Sequence, residues 1–131
     1  MDLARIHGYV VGYLIMATWG ALSLWALGLW RLRREEAPTF WRAVSVAQIL
    51  LVLQLLVGGV LLLMGRVAGA GGWFDAVFHP LYGFVFPVIV LVVAHAHARQ
   101  GARSPYAVFA LAAFVIFALT VRSFTVGAGM G

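Results

Sequence analysis

The stretch GYVVGYLIMATWGALSLWALGLW, residues 8–30, decides the fold class because it carries no charge over 23 residues. As a helix rising about 1.5 Å per residue it would be roughly 34 Å long, enough to cross the hydrocarbon of a bilayer. A cleaved signal peptide is the alternative, but the run exceeds the apolar core of such a peptide and no small-x-small cleavage site follows. We therefore expect a membrane span.

The rest of the chain has the same apolar character. Of its 131 residues, 64% are hydrophobic and 10% are charged, and the mean hydropathy is +1.02. Charged and glycine- or proline-containing stretches separate four apolar runs, and we expect spans at about residues 6–31, 42–65, 74–98 and 105–122. Pro80 and Pro87 predict a kink in the third span. The short connections predict one all-α domain over 1–131, an integral membrane four-helix up-down-up-down bundle with parallel first and third helices.

The arginines predict the orientation of the bundle. Nine basic residues against four acidic ones give a net charge of +5, but the arginines flank the apolar runs, so the lipid bilayer and not nucleic acid is the expected partner. One side of the predicted bundle holds Arg31, Arg33, Arg34, Arg42, Arg99 and Arg103, and the other holds Arg5, Arg66 and Arg122. The positive-inside rule then predicts both termini outside, in a bacterial-type plasma membrane.

Two of the four histidines form a candidate haem site. The absence of cysteine excludes thiolate ligands and covalent haem attachment. His7 lies five residues after Asp2, a plausible N-cap, and His79 lies five residues after Phe74, so both sit about 8 Å along parallel helices. Their side chains can therefore face each other at one depth, as bis-histidine ligation of a b-type haem iron requires.

Glycines and arginines support this hypothesis. Small residues make room for a flat ring in a packed bundle, and arginines at the membrane surface pair with haem propionates. The glycines expected at the depth of the histidines are Gly8, Gly12, Gly58, Gly59 and Gly83. The arginines expected above them are Arg5, Arg66 and Arg122.

Other uses of the histidines stay open. An interfacial histidine can be structural, and paired histidines can bind zinc or copper, for which Asp75 is the best-placed acidic residue. His95 and His97 lie at the opposite end of the third helix, where no other helix offers a histidine, so we expect them at an interface. Gln48 and Gln54 could hydrogen-bond a quinone, although interhelical hydrogen bonding is the commoner use of membrane glutamines.

A family resemblance adds to these observations. Residues 54–59, QLLVGG, followed by residues 78–83, FHPLYG, resemble one half of haem A synthase, and small four-helix membrane b-type cytochromes carry similar patterns. The resemblance covers nearly the whole chain and implies His79 and His7 as axial ligands. The acidic residue that the synthase family has one turn before its first histidine is Ala4 here, and the second four-helix half is missing. The resemblance thus implies haem binding and does not extend to haem oxidation.

Three functions follow as expectations. The first is a single-haem membrane cytochrome b that transfers electrons, with the quinone pool as partner, acting as a quinone-linked oxidoreductase alone, as a homodimer or within a larger respiratory complex. The second is a haem carrier or assembly factor related to haem A synthase. The third is a haem-free structural subunit of a membrane complex. Two observations distinguish these three functions: whether the purified protein retains haem, and whether a quinol reduces that haem.

Overall fold

Four long helices make up the structure. The computed structural model describes residues 2–65 and 72–127, the side chain of Asp75 excepted. Helix α1 covers Leu3–Arg31 and α2 covers Pro38–Leu63. Helix α3 covers residues 73–100 in three segments, Trp73–Pro80, Leu81–Val85 and Phe86–Gln100, and α4 covers Pro105–Gly127. Each is long and apolar enough to cross a membrane, and the described residues contain no strand, so the predicted all-α membrane bundle is confirmed.

The helices alternate in direction. Gln54 of α2 contacts the start of α1, Ser123 near the end of α4 contacts the start of α3, and Ser23 near the end of α1 donates to Ala110 near the start of α4. Helices α1 and α3 therefore run parallel, as expected. Helix α4 packs extensively on both α1 and α3. The described backbones of α1 and α3 hardly approach each other, so only side chains can meet across that gap.

The tightly packed core lies in one half of the bundle. Its largest fully buried side chains include Trp19, Phe40, Leu51, Phe109 and Ile116. Because lipid is as apolar as these side chains, the packing is held by van der Waals contact and not by exclusion of water. The arginine end, which we define by Arg31, Arg33, Arg34, Arg42, Arg99 and Arg103, adjoins this core. The opposite end, with His7 and His79, has few buried side chains and is called the histidine end.

The helix limits differ from the expected ones at two places. Helix α2 begins at Pro38 instead of about residue 42, because proline suits the first helical turn, where its missing N–H has no acceptor to reach. Helix α4 continues to Gly127 instead of ending near residue 122. The added turn of α4 brings residues 123–127 to the depth of His7 and His79, and it places Ser123 and Gly127 beside His79.

Candidate functional site

The imidazoles of His7 and His79 meet at the histidine end. Asp2 caps α1 through hydrogen bonds from the backbone N–H groups of Ala4 and Arg5 to its carboxylate, as expected, and this fixes the depth of His7. The ring centroids of the two histidines are 5.9 Å apart and their planes are inclined by 72°. Both side chains are half-buried. The structure thus brings together two residues that are 72 positions apart in the chain.

Each histidine adjoins a π-helical segment. Residues Ile6–Val11 form one such segment around His7, and Leu81–Val85 form the other directly after His79 and Pro80. The π-helix is rare, and short π-bulges inside α-helices occur frequently at functional sites. In α3 the segment lies between Pro80 and Pro87, where the proline rings remove backbone donors from the regular helix pattern. Between the two prolines, where the sequence predicts a kink, α3 thus departs from the regular α-helical hydrogen-bond pattern.

Helix α4 anchors His79 through Ser123. The His79 Nδ1 is 2.9 Å from the carbonyl oxygen of Ser123. A carbonyl oxygen only accepts, so Nδ1 carries the hydrogen and Nε2 of the neutral ring keeps a free lone pair. The Ser123 hydroxyl also donates to the carbonyl oxygen of His79 at 2.8 Å. The Nδ1 bond orients the ring and the hydroxyl bond holds the His79 backbone, so Nε2 is the ring nitrogen that could bind a metal, as in metal-binding histidines oriented by a neighbouring hydrogen bond.

Helix α2 anchors His7 through Gln54. The Gln54 Nε2 donates to the carbonyl oxygen of His7 at 2.8 Å, and that oxygen also accepts the Gly12 N–H across the π-helical segment. The His7 Nδ1 and the Gln54 Oε1 are buried without a hydrogen-bond partner. Among the hydrogen bonds of the described residues, the one that joins Gln54 to His7 is the bond from Gln54 Nε2 to the His7 carbonyl. Both histidine carbonyls therefore receive a side-chain donor from a neighbouring helix.

The glycines expected at this depth have distinct surroundings. A Cβ on Gly58 would lie 3.2 Å from Cε1 of His7, and a Cβ on Gly83 would lie 2.6 Å from the Ser123 hydroxyl. A Cβ on Gly12 would meet Phe124 at 3.5 Å, whereas Gly8 and Gly59 have nothing within 4 Å. Gly58 thus makes room for the His7 imidazole, Gly83 makes room for the Ser123 hydroxyl beside His79, and Gly12 lets α1 approach Phe124 of α4.

Gly127 is a further contact that the sequence analysis missed. A Cβ at this position would lie 2.7 Å from Cε1 of His79 and 2.8 Å from its Nδ1, closer than real Cβ atoms approach. Only glycine therefore fits beside the His79 ring. Ser123 was missed as well, because the predicted span ended at about residue 122. The signal that could have found both is the uncharged continuation Ser123–Gly127, which extends the helix by more than one turn.

The three expected arginines are not equivalent. Arg5 is exposed beside His7 in the chain, and the Arg122 guanidinium lies 5.9 Å from the centroid of the Tyr82 ring. Arg66 lies outside the described residues, as does the side chain of Asp75, the acidic residue considered for a zinc or copper site. Arg5 and Arg122 supply positive charge at the histidine end.

The separation of the two imidazoles can be compared with that of two histidines bound to one metal. Two metal–nitrogen bonds of about 2.0 Å, with about 1.1 Å from each nitrogen to its ring centre, place the centroids about 6 Å apart. The observed 5.9 Å agrees with this separation. Among residues 2–65 and 72–127, Nε2 of neither ring has a hydrogen-bond partner. The same residues hold no group of three or more His, Cys, Asp or Glu side chains suited to a metal ion.

The other two histidines lie at the arginine end. The His95 Nε2 is 2.9 Å from the Gln48 Nε2, which joins α3 to α2, and the His95 ring lies edge-on to Phe109. His97 Nδ1 donates to the carbonyl oxygen of Val93 in its own helix at 3.0 Å. Both glutamines considered as quinone contacts therefore bond to residues of neighbouring helices, Gln48 to His95 and Gln54 to His7.

Replacing Ser123 by alanine should weaken ligand binding at His79 without unfolding the bundle. The variant loses the bond from the hydroxyl to the His79 carbonyl and the 3.1 Å contact of the hydroxyl with the His79 Nδ1, but it keeps the backbone acceptor for Nδ1. Because residues that orient a ligating histidine typically contribute tenfold or more to metal affinity, we expect haem affinity to fall about tenfold. Haem titration of the purified apoprotein measures this. Thr125→Ala is the matched control, since within the described part of the chain the Thr125 hydroxyl bonds to the Arg122 carbonyl of its own helix. Equal losses in both variants would contradict the role of Ser123.

Comparison with known proteins finds no match for this chain. No family model matches the chain. No curated protein and no solved structure matches it either.

Proposed function

We propose that the chain is a membrane b-type cytochrome that binds one haem b between His7 and His79 and exchanges electrons with a membrane quinone. The observation that carries the proposal is the pair of imidazoles from parallel helices, 5.9 Å apart. The oriented Nδ1 of His79 supports it, because it leaves Nε2 free to ligate. The small residues beside the two half-buried rings, Gly58 at His7 and Gly127 at His79, support it too.

The roles of the residues follow from their positions. A bound haem would supply one-electron chemistry that no side chain of this protein provides. His7 and His79 would hold its iron, while the Ser123 carbonyl orients the His79 imidazole and Gln54 holds the backbone of His7. Positive charge at the histidine end would attract the haem carboxylates. The positive-inside rule would place this end, and both termini, on the outer side of a bacterial-type membrane.

Reduction by a quinol tests the function. A quinol releases two electrons and two protons, and each haem takes one electron, so two chains should be reduced for each quinol oxidised. We expect full reduction of the haem-loaded protein in liposomes by a menaquinol or ubiquinol analogue, followed in the alpha band. Haem that dithionite reduces but neither quinol reduces would contradict quinone-linked electron transfer while leaving haem binding intact.

Haem transport is the second candidate. The half-burial of both histidines favours it, since a half-buried site can release its ligand more readily than a closed one. Transfer to apo-myoglobin distinguishes the two functions, because a carrier should yield its haem within minutes and an electron-transfer protein should retain it. A protein that purifies folded and colourless would instead favour a structural subunit of a membrane complex.

A further inference from the structure

An apolar groove lies between α1 and α4 at the arginine end, the end opposite to His7 and His79. Its volume is about 650 Å³, and its apolar lining includes Leu27, Ala107, Ala110, Leu111 and Phe114. From Ala107 to Phe114 the groove follows α4 for about 10 Å, at about 1.5 Å per residue. The Ser23 hydroxyl donates to the carbonyl oxygen of Ala110 at 2.9 Å and fixes the separation of the two helices. The groove is open on its outer side, where the bilayer would be.

A polar cavity continues the groove at the membrane surface. It has a volume of about 490 Å³ and shares Trp30 and Ser104 with the groove. Arg33 and Arg34 line the cavity, and Arg103 lines the groove where the two meet. The Tyr106 hydroxyl donates to the backbone carbonyl of Glu35 at 3.4 Å, which ties the α1–α2 loop to α4. The combined space is therefore apolar at one end and basic at the other.

The charge of this space is unbalanced. Three arginines against the one acidic lining residue, Glu35, leave two positive charges in excess. Within the described residues none of these three guanidinium groups forms an ion pair. Guanidinium groups bind phosphate oxygens through two parallel hydrogen bonds, and basic pockets between membrane helices bind anionic lipid headgroups. The space thus matches a ligand with a negative headgroup and a hydrocarbon tail.

We propose that this groove and cavity form a binding site for an anionic phospholipid. The phosphodiester contacts Arg33, Arg34 and Arg103, and one acyl chain lies along α4 between Leu27 and Phe114. A zwitterionic lipid fits less well, because its own cation opposes the excess positive charge. The site stands apart from the proposed haem site and does not depend on it.

Native mass spectrometry of the full chain in detergent tests the proposal with phosphatidylglycerol and phosphatidylcholine as probes. Near a membrane surface each basic residue contributes roughly a fivefold change in affinity for anionic lipid. We expect phosphatidylglycerol to bind at least tenfold more tightly than phosphatidylcholine. The triple variant Arg33→Gln, Arg34→Gln, Arg103→Gln should lose this preference. Arg42→Gln with Arg99→Gln, at the same end but outside the site, is the matched control and should keep it.

Further measurements distinguish a bound lipid from other occupants of the groove. Ala107→Phe should fill the groove and weaken phosphatidylglycerol binding, and inorganic phosphate should not displace the lipid. Displacement by phosphate would overturn the proposal in favour of a simple anion site. Equal binding of both lipids, or equal losses in the triple variant and its control, would overturn it as well. A dimer of the purified protein that Ala107→Phe converts to monomer, with lipid binding unchanged, would assign the groove to a second copy of this chain.

Discussion

His79→Ala is expected to abolish six-coordinate haem binding. The variant removes the imidazole whose Nδ1 bonds to the Ser123 carbonyl oxygen, a bond that leaves Nε2 of the ring free. The remaining His7 could supply only one axial nitrogen, so any haem retained should be five-coordinate and weakly held. Reduced-minus-oxidised spectra of the purified variant measure the loss, and His7→Ala should behave in the same way.

Imidazole rescue and a matched control make this result specific. Imidazole added to His79→Ala should restore the low-spin spectrum, because the small ligand can occupy the vacated space; a merely structural histidine would not be rescued. His97→Ala removes a histidine from the same helix at the arginine end and should retain haem fully. Retention of low-spin haem by His79→Ala would show that the ligand lies elsewhere.

Gly127→Ala should have the second largest effect. The added Cβ would lie 2.7 Å from His79 Cε1, so the ring must move or the end of α4 must shift. Alanine in place of glycine normally stabilises a helix by about 0.5–1 kcal/mol, so a loss of haem cannot be attributed to helix propensity. We expect haem affinity to fall by more than tenfold, measured by titration of the apoprotein.

Gly28→Ala is the control for this variant. Gly28 lies in α1 at the arginine end, and a Cβ there meets nothing within 4 Å. It should bind haem as the unchanged protein does and be at least as stable to heat. If Gly127→Ala also binds haem normally, the close approach of Gly127 to His79 is not required for the site.

Much of the fold could be predicted because membrane insertion imposes simple rules. Uninterrupted apolar runs such as residues 8–30 must be helical, since lipid offers no partner for backbone groups. Short connections then fix alternating directions, and these make α1 and α3 parallel. From this parallelism alone the sequence indicates that His7 and His79 can share a depth, and the structure brings their rings to 5.9 Å.

The supporting residues were harder to predict because they depend on helix rotation. Sequence periodicity carries little information where every face of a helix is apolar, so nothing indicated that Ser123 faces His79 or that Gln54 faces His7. The π-helical segments were also unforeseen: Leu81–Val85 lies between two prolines, whereas Ile6–Val11 contains none. The sequence indicated the depth of Gly58 in the bundle but not that it adjoins the His7 imidazole. It did not indicate Gly127, which adjoins the imidazole of His79.

The optical spectrum of the purified full-length chain, with its haem content per chain, tests the central claim most directly. The account predicts one non-covalent haem b per chain, with the Soret and alpha bands of a six-coordinate low-spin cytochrome in the reduced state. A folded, helical chain that shows no Soret band after expression in a haem-replete host, and acquires none when haem is added, would contradict it.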